Sequence, residues 1–181
     1  MLSSLFSREG GPRVCGPPFH SEFGADVVSV REWGEKILVD LTWQGPKRLS
    51  LNRLPRTIPG HRGVYLISSR KGLYPYPRGH SSLAYIGSGR MGNRLSAHVG
   101  RNDDLIDLVG AEGTMWFWYA SVPRGWHPCV EQVLFDEFEE RHGSHPVLNK
   151  VRPPCDLDWR NIRVKHSNLS FPYDFSRRDF P

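Results

Sequence analysis

The sequence predicts a small mixed α/β sandwich with a β-hairpin extension ahead of it. Three observations carry that expectation. The central order across residues 63–143 reads strand, strand, helix, helix, strand, helix. The run TMWFWYASV at 114–122 is continuously apolar and aromatic, as a strand buried in the middle of a sheet must be. CVEQVLFDEFEERHG at 129–143 repeats Val130, Val133, Leu134 and Phe138 at helical spacing, and Gly143 supplies a stop.

The remaining elements follow in order. Residues 1–25 are irregular, with GGPR and CGPP as turn material. DVVSVREW (26–33) and KILVDLTW (36–43) alternate and meet across Gly34-Glu35, which predicts a hairpin. KRLSLNRL (47–54) reads as a third short strand, and PRTIPGHRG (55–63) as a linker. GVYLIS (63–68) and SLAYIGS (82–88) are strands, separated by RKGLYPYPRGHS, whose prolines and glycines predict a long loop. RMGNRLSAHVG is a short helix ending at Gly100, and NDDLIDLVG (102–110) another with an Asn/Asp cap. From Pro153 onward the chain is polar and punctuated by proline. The expected division is an extension at 1–58, a core at 59–152 and a tail at 153–181.

A net charge of +5 and a pI near 9.3 admit an anionic partner but weight it only modestly, since many ordinary soluble proteins share them. No apolar run approaches the roughly 20 residues a membrane span needs, and MLSSLFSREGG is too short for a secretory signal. Cys15, Cys129 and Cys155 cannot all pair within one chain, so a reducing cytoplasm is expected, with no membrane partner. His142 and His145, flanked by Cys129 and Cys155, have a spacing that zinc accepts. The absence of a close cysteine pair weighs against such a site.

One stretch asks for more than packing. In LAYIGSGRMGNRLSAH (83–98), a strand carrying Tyr85 turns through glycines into a helix with Arg94 and His98 four residues apart. That spacing stacks the two on one helix face. Tyr65 and Tyr85 sit mid-strand, where one antiparallel register puts both phenols on one face. A short turn would fold the helix over them, joining a permanent cation to a group that titrates near neutrality.

G-V-Y at 63–65, Y-I-G at 85–87, R-L-S-A-H at 94–98, Glu131 in VEQVLFDEF and Asn149 in HPVLNK together resemble the GIY-YIG nuclease superfamily. The EQ…P…N pattern is similar to the nuclease domain of the bacterial excision-repair endonuclease. The resemblance covers about residues 59–152 and implies a three-stranded antiparallel sheet flanked by helices. It also implies a DNA endonuclease with Mg²⁺ (or Mn²⁺) held by Glu131. Tyr65 would be the general base, with Tyr85 a close rival and His98 receiving the proton. About 0.1% of an ordinary phenol is ionised at pH 7, so Arg94 and the metal would have to lower its pKa. Arg94 would also bind the pentacovalent phosphate, and Asn149 would position the metal-side loop or a substrate oxygen. Arg90 and Arg101 are the candidate DNA-contacting cations. Gly63 and Gly87 would serve close backbone packing.

Each residue has a plainer use. Glu131 suits a helix start, strand tyrosines pack, an arginine pairs on a surface, and Asn ends a helix. Two departures stand out: Ser88-Gly89-Arg90 follows the second motif where many members carry Lys, and the loop between the tyrosines is long. Within the class, a stand-alone restriction-type enzyme acting on double-stranded DNA is the leading reading. A homodimer would supply one active site per strand. The alternatives are a structure-specific repair or recombination nuclease and a catalytically inactive nucleic-acid-binding protein.

Overall fold

The computed structural model describes residues 30–33, 36–49, 60, 62–69, 73–100, 107, 111, 115–155 and 159–168, with backbone alone at 30–33, 96 and 98–100. The Gly34-Glu35 turn, Arg101, and the helix expected at 102–110 (apart from Asp107) lie outside the described residues. So do the segments before 30 and after 168. Nine strands and two helices are labelled in chain order: β1 Val30–Trp33, β2 Lys36–Thr42, β3 Gln44–Leu49, β4 Arg62–Ser69, β5 Tyr74–Tyr76, β6 Gly79–Ser81, β7 Leu83–Arg90, α1 Met91–Gly100, β8 Met115–Ser121, α2 His127–His142 and β9 Ile162–Ser167.

The chain is mixed α/β, as expected, but the central sheet has four strands rather than three. Its order is β3-β8-β4-β7, antiparallel throughout. The added strand is β3, from the segment read as an extension. Its residues pair with β8, and Lys47 Nζ donates to the Tyr119 hydroxyl at 3.1 Å. The aromatic strand β8 therefore has a neighbour on each side and is buried on both faces through Ala120, which explains its composition. The expected long loop contains a small hairpin, β5–β6, turning at Pro77-Arg78. Prolines hid it, although Pro75 is tolerated in so short a two-stranded piece.

Alternation divides the core. Val64, Leu66, Ile86, Trp116, Trp118 and Ala120 point to the α2 side. Tyr65, Ile67, Phe117 and Tyr119 point to the other, where Met91 and Leu95 of α1 cover them. The helix α2 departs from the expected one-sided pattern: every residue from Cys129 to Phe135 is buried. The cause is a second sheet, β1-β2-β9, which covers its far side. Val39, Leu41, Trp43 and Ile162 from that sheet join Val130, Val133, Leu134, Phe135 and Phe138 in one cluster.

The residues read as a tail supply β9, which runs parallel to β2 from Ile37↔Ile162 to Thr42↔Ser167. Trp43 Nε1 donates to His166 Nδ1 at 3.0 Å, fastening the same join. Cys129 and Cys155 form a disulfide, with Cα atoms 4.9 Å apart, tying α2 to the segment before β9. The odd cysteine count did not keep these two thiols apart. They are thus not shared with a zinc ion, and no group of three or more His, Cys, Asp or Glu able to hold a metal occurs among the described residues. No helix among the described residues is long and apolar enough to cross a membrane.

A fragment of residues 59–152 lacks β2, β3 and β9. It should therefore expose one side of α2 and the edge of β8, and fail to fold cooperatively. Urea unfolding followed by circular dichroism checks this; a cooperative transition like that of the full chain would show the outer strands to be dispensable.

Candidate active site

The register of β4 against β7 sets Tyr65 opposite Gly87 and Ile67 opposite Tyr85, so the two phenols share one face as diagonal neighbours. Their ring centroids are 5.9 Å apart. Gly87 is what allows this. A Cβ there would lie 2.5 Å from Cζ and 2.6 Å from the hydroxyl oxygen of Tyr65, and 2.6 Å from Cε1 of Tyr85. Gly63 has a different duty, since its Cβ would fall 2.1 Å from the Ala120 carbonyl oxygen of β8. The close packing expected of both glycines thus divides: Gly63 admits backbone, and Gly87 admits the phenols. Gly87→Ala should destabilise the fold by about 1–3 kcal/mol through overpacking, read from the denaturant midpoint. An unchanged midpoint would mean that the ring does not depend on this space.

Burial separates the two tyrosines. Tyr65 has no exposed surface, whereas Tyr85 is half-buried. Burial pushes the Tyr65 pKa well above the ordinary phenol value, and the neighbouring Tyr85, the Glu131 charge and a hydrogen bond to Tyr85 push the same way. Arg94 pulls it down, as expected, but loses to burial. Tyr65 is a protonated hydrogen-bonding phenol at neutral pH.

Glu131 lies in the first half of α2, and the Ser88 hydroxyl donates to its carboxyl. It is 8% exposed, which excludes the solvated helix-start glutamate. Burial raises its pKa from 4.5 to about 7, against the opposing pull of Ser88 and Arg94. A buried carboxylate with so little compensation is suited to a cation. As the single carboxylate among these residues, it fits an ion that retains most of its waters and takes the rest of its ligands from substrate, as Mg²⁺ does.

Arg94 projects from α1, exposed, beside the turn at Gly89. Gly89 has φ +123°, a conformation that favours glycine and swings β7 directly into α1. Arg90, exposed, ends β7. The side chain of His98 and all of Arg101 lie outside the described residues. Asn149 reaches the second motif: its Oδ1 accepts from Ile86 N–H at 2.9 Å and its Nδ2 donates to the Ile86 carbonyl at 2.8 Å. The amide therefore pairs with the free edge of β7 as another strand would, holding the strand that carries Tyr85.

Three neighbours have no site role assigned from sequence alone. Ser88 follows the second motif directly. Arg62 precedes the first, and its Nη1 lies 3.5 Å from Nε2 of His127. His127 opens α2 one helical turn before Glu131, and that four-residue spacing was the available signal. Burial lowers the His127 pKa, helped by the charges of Arg62 and Arg94. Comparison with family models, with curated proteins and with solved structures finds no match to this chain.

Proposed function

We propose that this protein is a metal-dependent DNA endonuclease hydrolysing phosphodiester bonds, with a GIY-YIG-type core and a stand-alone, restriction-type role. The observation carrying this reading is the convergence of two adjacent, mutually tilted phenols, an exposed guanidinium and one buried, cation-poor carboxylate drawn from four separate elements. Packing alone gives no reason to bury Glu131 at a cost in its own ionisation.

Phosphodiester hydrolysis needs an activated water, charge relief on the phosphate and a stabilised leaving oxygen. A divalent ion, Mg²⁺ or Mn²⁺, held by Glu131 would supply Lewis acidity to the phosphate and the leaving oxygen. Tyr85, half-buried where Tyr65 is fully buried, is the better candidate phenol to meet the attacking water. Tyr65 holds it through their hydrogen bond and keeps its own proton. Arg94 offers the flat fork that binds two phosphate oxygens at once. Ser88 orients the carboxyl, and Asn149 fixes the edge strand from outside.

The test is incubation of the full chain with plasmid, single-stranded and branched DNA in Mg²⁺. Discrete plasmid fragments support the restriction-type reading, and sedimentation of the DNA complex would show whether two copies act together. Nicks confined to branch points would favour a repair or recombination nuclease. Binding without cutting in either metal would make the protein an inactive nucleic-acid binder and end the endonuclease reading.

A further inference from the structure

Arg62 and Arg90 face each other as register partners where β4 begins and β7 ends. Like charges directly opposite in a sheet repel. A third polar group joins them, since the His127 ring stands 3.5 Å from the Arg62 guanidinium. With Arg62 donating, Nε2 of His127 is the acceptor and Nδ1 carries the hydrogen. Nδ1 is buried with no hydrogen-bond partner. An unsatisfied buried donor is costly, and this one belongs to a ring that already feels the charges of Arg62 and Arg94. No carboxylate forms an ion pair with Arg62, Arg90 or Arg94 among the described residues. Arg152 behaves differently, pairing with both Asp136 and Glu139.

A stretch of sheet end that gathers cations, gives them no ion pair among the described residues and orphans a donor is suited to an anion supplied from outside. We propose that Arg62 and His127, with Arg90, form a phosphate-binding strip that grips the DNA backbone beside the Arg94 position. The proposal rests on the endonuclease reading for the identity of the polymer. Arg94 serves the phosphate under attack, and the strip holds a neighbouring phosphate of the same strand. The resulting register would place the bond to be cut over the phenols. Glu131, on the same helix one turn beyond His127, keeps the cation-binding and anion-binding positions adjacent but separate.

The experiment measures binding of a short DNA duplex to the full chain in EDTA, where nothing is cut, across a range of salt concentrations. The slope of log affinity against log salt counts neutralised phosphates. Arg62→Gln should reduce that slope by about one and weaken low-salt binding on the order of tenfold. Arg62→Lys keeps a point charge and should retain the slope while losing part of the affinity. His127→Ala at pH 8, where the ring is neutral, should weaken binding with little change in slope. Wild-type affinity and slope in Arg62→Gln would overturn the strip, as would failure of the wild type to bind DNA. If the wild type binds with an Arg62-dependent slope but never cuts in Mg²⁺, the endonuclease reading falls and the strip stands. If it cuts while Arg62→Gln binds like wild type, the strip falls alone.

Discussion

Glu131→Gln should keep the fold and DNA binding and reduce cleavage by more than about a hundredfold, because an amide cannot replace a carboxylate on a divalent ion. Cutting at the wild-type rate by this variant in Mg²⁺ would remove Glu131 from the reaction. The same change should alter stability in EDTA, with a sign that follows from its ionisation. Folding raises the Glu131 pKa from 4.5 to about 7. Folding therefore favours the protonated form. That contribution is fully present below about pH 4.5 and is lost as pH rises through about 7. The loss is about 3 kcal/mol at most. Glu131→Gln lacks this titration, so its denaturant midpoint should overtake that of the wild type as pH climbs. Parallel pH curves for the two proteins would contradict the burial argument.

Tyr85→Phe is expected to cost cleavage the factor typical of losing a general base, about 10²–10⁴, with binding retained. Tyr65→Phe should cost less in single-turnover rate and more in stability. It removes a fully buried hydroxyl, and a hydrogen bond of that kind is worth about 1 kcal/mol. The contrast is the informative quantity. A larger rate loss at Tyr65 would return the base role to that residue, despite a pKa pushed well above the ordinary phenol range. Near-wild-type cleavage by both variants would sink a phenol mechanism. Arg94→Lys should also be slow although it keeps its charge, since an ammonium cannot present two parallel donors to one phosphate.

What the sequence disclosed was local. Aromatic continuity in β8, the apolar runs of β4 and β7, and the Gly143 stop each act within a few residues, and each appears where expected. So does the juxtaposition of Tyr65 with Tyr85, because the register that forms, with Tyr65 opposite Gly87 and Ile67 opposite Tyr85, is one of those that put both on one face. What stayed hidden depends on partners distant in sequence. IRVKHS buries only Ile162 fully and reads as polar coil until β2 lies beside it. α2 looks half-exposed until a second sheet takes its far side, and Glu131 looks solvated until Ser88 of β7 and Arg94 of α1, both distant in sequence, meet it. Asn149 was legible as a residue type but not as an edge clasp, since nothing in HPVLNK names Ile86 as its partner. Arg62 and His127 meet only because β4 and α2 begin at the same corner, a fact of topology.

The join between β2 and β9 gives this protein an order of assembly in time. β2 is synthesised long before the strand that will lie beside it, and the whole four-stranded sheet and α2 come between. Closing that distance is slow relative to forming the nearby antiparallel pairs. During synthesis, β2 therefore waits with one backbone edge unpaired, and Val39, Leu41 and Trp43 wait for their packing to be completed. Each ribosome making this chain holds an adhesive strand for that interval, and neighbouring ribosomes hold the same one. Lower temperature and sparse initiation, which keep nascent copies apart, should raise the yield of folded protein more than any change to the finished surface.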